Sequence, residues 1–224
     1  MKKSLPDIVV GVLLAVAVWI FYMVTLSRGA APGSSAGFLL HVLDLFPRVT
    51  PQAPLWYVVA RGLAGVSGLR AVQVLNGFSA LCGAVSVGLL YALVRNGIQV
   101  YLDTYLVREG RARFVGCVAG FVAAMGLGLS APFWSVANRA HMMTFDIMLL
   151  LFAGWLLVSF IRTGSFLYVV FLTLSYGVFA AEFATFIVVG PMFALGVLYG
   201  LWRHEILLPR RLGILSGLLL IGIL

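Results

Sequence analysis

The stretch Pro54–Leu69, PLWYVVARGLAGVSGL, decides the fold: it is apolar enough to suggest a membrane crossing, yet it carries Arg61 near its middle and three glycines in its second half. Charge placement separates the two readings. If this stretch lies along the outer interface, Lys2, Lys3, Arg95, Arg108, Arg111, Arg113, Arg162, Arg203, Arg210 and Arg211 fall on the cytoplasmic side. Arg28, Arg48, Arg61, Arg70 and Arg139 then lie outside, so ten of the 15 basic residues are inside and five outside. If the stretch spans, everything after it inverts, leaving Lys2, Lys3, Arg70 and Arg139 inside and ten basic residues outside. Basic residues accumulate in cytoplasmic loops, so the first arrangement is the expected one.

The rest of the chain supplies the crossings. It is 62% hydrophobic with a mean hydropathy of +1.10 and only 10% charged residues, too little polar surface to coat a soluble globule of 224 residues. Apolar runs occur at 8–26, 71–94, 114–132, 142–162, 166–180, 183–202 and 212–224, separated by segments holding Arg, Pro or Gly. The expected fold is an all-α polytopic bundle of about seven transmembrane helices, one transmembrane domain over 1–224, in the cell membrane with its N-terminus cytoplasmic. The first run is long enough to span and lacks an Ala-x-Ala cleavage pattern, so it reads as a retained helix and not a signal peptide. The last run has 13 residues after Arg211, fewer than the roughly 20 a crossing takes, which suggests the N-terminal part of a longer protein.

Two segments stand outside the crossings. An outer loop over 27–70 is expected to hold a Gly/Ser turn at 33–37, a short helix at 36–46, a Pro-containing turn and an interfacial helix at 54–69. In the short helix His41, Asp44 and Arg48 recur at i, i+3 and i+7, one polar stripe against apolar Phe38, Leu39, Val42, Leu43, Leu45 and Phe46. On the cytoplasmic side, 95–113 mixes Val100, Tyr101, Tyr105 and Leu106 with Arg95, Asp103, Arg108, Glu109 and Arg111, the pattern of an interfacial segment held by anionic lipid headgroups.

The net charge of +8 does not point to nucleic acid, because the basic residues sit at the ends of apolar runs. Membrane lipid is the expected partner. No G-x-G-x-x-G, Walker A, H-E-x-x-H or G-x-S-x-G pattern occurs. His41, His141 and His204 form no metal-ligand spacing, so no zinc site is expected, and Cys82 and Cys117 read as packing residues within helices. The polar groups that gather at the outer side are His41, Asp44, Arg48, Arg61, Arg70, Asn138, Arg139, His141, Asp146 and Glu182. Charged groups at membrane depth are costly and mark functional sites by default. Asp146 also reads as an ion pair with Arg139 fixing a helix end, Glu182 as a solvated residue at a hairpin tip, and Arg61 and Arg70 as side chains snorkelling to headgroups.

The order of features resembles the GT-C membrane glycosyltransferases, and within them a bacterial family formerly of unknown function that is related to protein O-mannosyltransferases. The residues that carry the resemblance are Pro51, Pro54, Leu55, Trp56 and Arg61, then Leu89, Leu90, Tyr91, Leu93, Val94 and Arg95, then Ser130, Phe133, Trp134 and Ser135. The resemblance implies a polyprenyl-phosphate sugar donor, an acceptor at the outer face, and an acidic residue of the first outer loop as catalytic base. It also implies Arg or a divalent cation offsetting the charge of the departing phosphate. The chain departs from the family pattern at four positions: Ser34 and Gly37 stand where the loop motif has Asp and Glu, Val49 where a His is usual, and His141 follows Ala140 where a Glu is usual.

The acidic loop motif is thus degenerate, and other residues must carry any transfer chemistry. The expected assignment takes Asp44, Asp146 and Glu182 as catalytic carboxylates and His41, Arg48, Arg61, Arg139 and His141 as substrate-binding groups. Two other functions fit the same chain: a non-catalytic subunit that binds or assembles polyprenyl-lipid sugars, and a transporter component with Pro191 as its interior helix breaker.

Overall fold

A computed structural model of the chain describes residues 5–29, 34–43, 53–67, 70–104 and 109–205. Among these, every element longer than a turn is an α-helix: α1 (Leu5–Val24), α2 (Ser34–Val42), α3 (Pro54–Ser67), α4 (Ala71–Thr104), α5 (Glu109–Gly128), α6 (Ala131–Ala137), α7 (Met142–Thr163), α8 (Phe166–Glu182) and α9 (Ala184–Arg203). Among the described residues four stretches are long and apolar enough to cross a bilayer: Ala71–Leu102, Gly110–Gly128, Met142–Thr163 and Ala184–Arg203. Ile8–Val24 and Phe166–Glu182 are shorter apolar helices. The chain is a helical membrane protein. Ile187, Val188, Met192 and Leu195 of α9 are each at least 67% exposed, an aliphatic face suited to contact with lipid.

The 14 residues of α3 rise about 21 Å at 1.5 Å per residue, against a hydrocarbon core of about 30 Å. Over its described residues α3 is thus shorter than that core. The cytoplasmic interfacial segment expected at 95–113 falls on the end of α4, which continues without a break to Thr104, and on the start of α5 at Glu109; residues 105–108 lie outside the described residues. Gly97 is the weakest helix former among residues 95–104 and no proline occurs there, so no strong breaker stops the helix where hydropathy falls. Arg95, Asn96 and Gln99 are buried along it. The seventh apolar run, 212–224, lies outside the described residues.

The helices form two compact units, the first drawn from Met1–Ala92 and Phe121–Met148, the second from Leu93–Gly120 and Leu149–Leu224. The first unit closes around Val18, Tyr22, Ala80, Ala84, Val87, Tyr91, Ala124, Phe133 and Ala137. Small residues set its helix spacing. A Cβ on Gly88 of α4 would lie 3.0 Å from the carbonyl oxygen of Gly11 in α1, so the two backbones touch where any larger residue would part them. Tyr22 of α1 donates its hydroxyl to the carbonyl of Gly128 at the end of α5, 2.7 Å away.

The second unit centres on Phe160, Val169 and Leu201, with Phe166, Tyr168 and Val197 against them. Gly164 ends α7 in the left-handed region, φ 67°, and its N–H returns to the carbonyl of Phe160 at 2.8 Å. The α8–α9 hairpin turns on one extended residue, Phe183. Tyr176, Phe179, Phe186 and Phe193 line it with ring centroids 5.2–5.7 Å apart.

Candidate functional site at one end of the first unit

Four helix ends of the first unit meet around Asn76 and Ser79, polar residues at i and i+3 that follow Gln73 on the mainly apolar start of α4. The Asn76 amide donates to the carbonyls of Ser27, at 2.8 Å, and Gly29, at 3.3 Å, just past α1. Its Oδ1 accepts the Ala140 N–H at 2.7 Å. Ser79 Oγ accepts the His141 N–H at 3.1 Å and donates to the His141 carbonyl at 3.3 Å. The Ser27 N–H reaches the Asn138 carbonyl at 3.2 Å, and Trp134 Nε1 donates to Thr25 Oγ1 at 3.0 Å. A buried backbone that leaves helix geometry must find partners for its polar groups, and Asn76 and Ser79 supply them to the bend between α6 and α7.

That bend carries three of the residues expected at the site. His141 sits at the start of α7, its Nδ1 accepting the Met143 N–H at 3.1 Å. Burial lowers its pKa below the usual imidazole value, and the charge of Arg139 lowers it further, so the ring is neutral near pH 7 and its proton resides on Nε2. Arg139 is half-buried, and its Nε donates to the Ser135 carbonyl at 2.6 Å, which fixes the plane of the guanidinium. Asp146 follows in the second turn of α7 and is 8% exposed, a carboxylate held inside the protein.

Helix α2 reaches the same bend. Phe38 of α2 packs edge-on against the His141 ring, centroids 5.3 Å apart, and against Trp56 of α3 at 5.8 Å. The stripe expected on α2 is only partly visible: the backbone of His41 is helical, while Asp44 and Arg48 lie outside the described residues. Arg61 is exposed on α3 and turns back along its own helix, Nη1 donating to the Tyr57 hydroxyl at 3.1 Å with its guanidinium carbon 6.0 Å from that ring's centroid.

Glu182 belongs to the second unit, at the end of α8, and is 1% exposed. It is not the solvated tip residue that its position between two apolar runs also allowed. Asn76 and Ser79 are absent from the sequence-derived candidates; the signal for them is two polar side chains one helical turn apart in an apolar run. Among the described residues no three of His, Cys, Asp or Glu gather as a metal site.

Comparison of the chain with protein-family models, curated proteins and solved structures finds no match. The reading of function therefore rests on the residues.

Proposed function

We propose that the chain is a seven-crossing protein of the cell membrane, its N-terminus cytoplasmic, that binds a polyprenyl-phosphate sugar at its outer face and transfers the sugar in the manner of the GT-C glycosyltransferases it resembles. The observation that carries this reading is the seating of His141 against Phe38: the first outer loop and the Arg139–Asp146 segment share one end of the first unit. That end also collects the C-terminus of α1 and the N-termini of α4 and α7, the ends that charge counting assigns to the outside.

In this reading the acceptor hydroxyl gives its proton to a carboxylate, Asp44 of the loop with Asp146 as the second acid. The acceptor oxygen forms a bond to the anomeric carbon as the bond from that carbon to the phosphate oxygen breaks. The polyprenyl phosphate leaves with the electron pair, and Arg139 offsets the charge that develops on it. His141, neutral and with Nε2–H as donor, offers a hydrogen bond without adding charge.

The test is sugar transfer from a labelled polyprenyl-phosphate donor in membranes carrying Asp44→Ala or Asp146→Asn. Loss of the base is expected to cost about 10²–10⁴ in rate. Full transfer by both variants would remove the carboxylate assignment. The replacement of the acidic loop motif by Ser34 and Gly37 favours a second reading, a lipid-sugar binding subunit without turnover. Photo-crosslinking to a polyprenyl-phosphate analogue, with no transfer by the wild-type chain, is its signature.

A further inference from the structure

The second unit has a cationic end, and its contacts establish which helix ends compose it. Arg162, in the last turn of α7, donates Nη1 to Asn96 Oδ1 of α4 at 2.8 Å. On α5, a Cβ at Gly116 would lie 3.2 Å from the Arg95 carbonyl and 3.7 Å from Gln99 Cγ, which puts the first turns of α5 beside the same part of α4. The end of α9 joins them, with His204 Nε2 2.9 Å from the Ile161 carbonyl of α7. Arg95, Arg111, Arg113, Arg162 and Arg203 therefore share one end of the unit, where the backbone also places residues Asp103, Glu109 and Glu205. At the opposite end of the α8–α9 hairpin the ionisable residue is the buried Glu182.

Arginines in the last turns of α7 and α9 would complement the helix dipoles whatever lies beside them. Arg111 and Arg113 do not fit that account, because they sit in the first turns of α5, where positive charge opposes the dipole. Arg111, Arg113 and Arg203 are exposed, and each lies next to exposed apolar side chains: Phe114 at 70% and Val115 at 48% beside the α5 pair, Tyr199 at 46% and Trp202 at 71% beside Arg203. Cations bordered by exposed aromatics match a phospholipid in both parts, an anionic headgroup against the arginines and acyl chains along the apolar flank.

We propose that this end of the second unit is a binding surface for anionic phospholipid, with Arg111 and Arg203 as its principal cations and Phe114, Tyr199 and Trp202 as its acyl-chain contacts. It is separate from the sugar-donor site and does not depend on it.

The experiment purifies the full chain in neutral detergent and measures, by native mass spectrometry, retention of phosphatidylglycerol against phosphatidylcholine. Wild type is expected to retain the anionic lipid preferentially. Arg111→Gln with Arg203→Gln, both at exposed positions, is expected to lower that preference about fivefold per arginine removed. Arg28→Gln with Arg70→Gln, exposed residues outside this surface, is expected to leave it unchanged, and Arg111→Lys with Arg203→Lys to preserve it. Helical circular dichroism of each variant verifies folding. Equal retention of the two lipids by wild type, an unchanged preference in the Arg111/Arg203 glutamine pair, or an equal drop in the Arg28/Arg70 pair would overturn the proposal.

Discussion

His141 closes the first turn of α7 on Met143: its Nδ1 accepts the Met143 N–H at 3.1 Å, a role open only to the neutral ring. Because burial and then Arg139 depress its pKa in the folded protein, the unfolded chain binds the proton more readily. The stabilisation is thus fully present above the unfolded value of about 6.5 and is lost as pH falls through the folded one. Thermal unfolding in detergent, followed by circular dichroism from pH 7.5 to pH 5, checks this: His141→Asn, which keeps an acceptor at the cap, should remove part of the acid sensitivity. His141→Ala should cost about 1 kcal/mol at neutral pH. An identical pH profile for wild type and His141→Asn would refute the assignment.

Asn76 serves three backbone groups from one buried side chain, the carbonyls of Ser27 and Gly29 and the N–H of Ala140. Asn76→Ala removes the side-chain partner of the Ser27 carbonyl and of the Ala140 N–H, at about 1–3 kcal/mol for each group left buried and unpaired, while the Gly29 carbonyl keeps the Ser27 hydroxyl at 3.1 Å. Asn76→Asp keeps the acceptor for Ala140 and loses both donors. The expected order of melting temperature is wild type, then Ser79→Ala, then Asn76→Ala; a silent Asn76→Ala would mean that the bend between α6 and α7 is held by other contacts.

Gly200 of α9 lies against the ring of Phe160, which is 0% exposed, and a Cβ placed there collides with that ring. Gly196, one turn earlier, faces the tip of Leu157, a side chain that can turn away. Gly200→Ala should therefore destabilise the second unit by about 1–3 kcal/mol, and Gly196→Ala by less. Adding Phe160→Leu to Gly200→Ala should recover part of the loss. Equal effects of the two glycine substitutions on the unfolding midpoint would contradict this packing.

Hydropathy located α7, α8 and α9 within two residues at each end, because their first and last residues coincide with the change from apolar to polar sequence. It failed where helix and apolar run part company. α5 starts at Glu109 and not at 114, since Glu, Arg and Ala are good helix formers that hydropathy scores as a boundary. The seven-residue α6 escaped the sequence reading, although Ser130 at its N-cap and Pro132 in its first turn announce it. At the candidate site the charged residues were legible by their cost in a membrane, while Asn76 and Ser79 were not, because a polar residue in an apolar helix does not reveal which distant backbone groups it serves. The packing of Phe38 on His141 was equally hidden, as it joins residues far apart in sequence through α2, whose composition fixes only that one face is apolar.

Topology admits a direct test, since the two readings of Pro54–Leu69 place Arg70 on opposite sides of the membrane. With Cys82 and Cys117 replaced by Ala, single cysteines at positions 28, 70, 111 and 203 can be labelled in intact cells with a membrane-impermeant maleimide. All four positions are exposed. If α3 lies along the outer interface, 28 and 70 react from outside, whereas 111 and 203 react only after the membrane is opened. A spanning α3 would reverse 70, 111 and 203 together while leaving 28 outside. The 14-residue length of α3 and the ten-to-five distribution of basic residues both favour the first pattern, and they are independent, one resting on the helix rise and the other on loop charge. Labelling of position 28 from outside and of position 70 from the cytoplasmic side alone would contradict the bonds from Asn76 to Ser27 and Ala140, which hold these helix ends together, and end the proposal of an outer-face transferase.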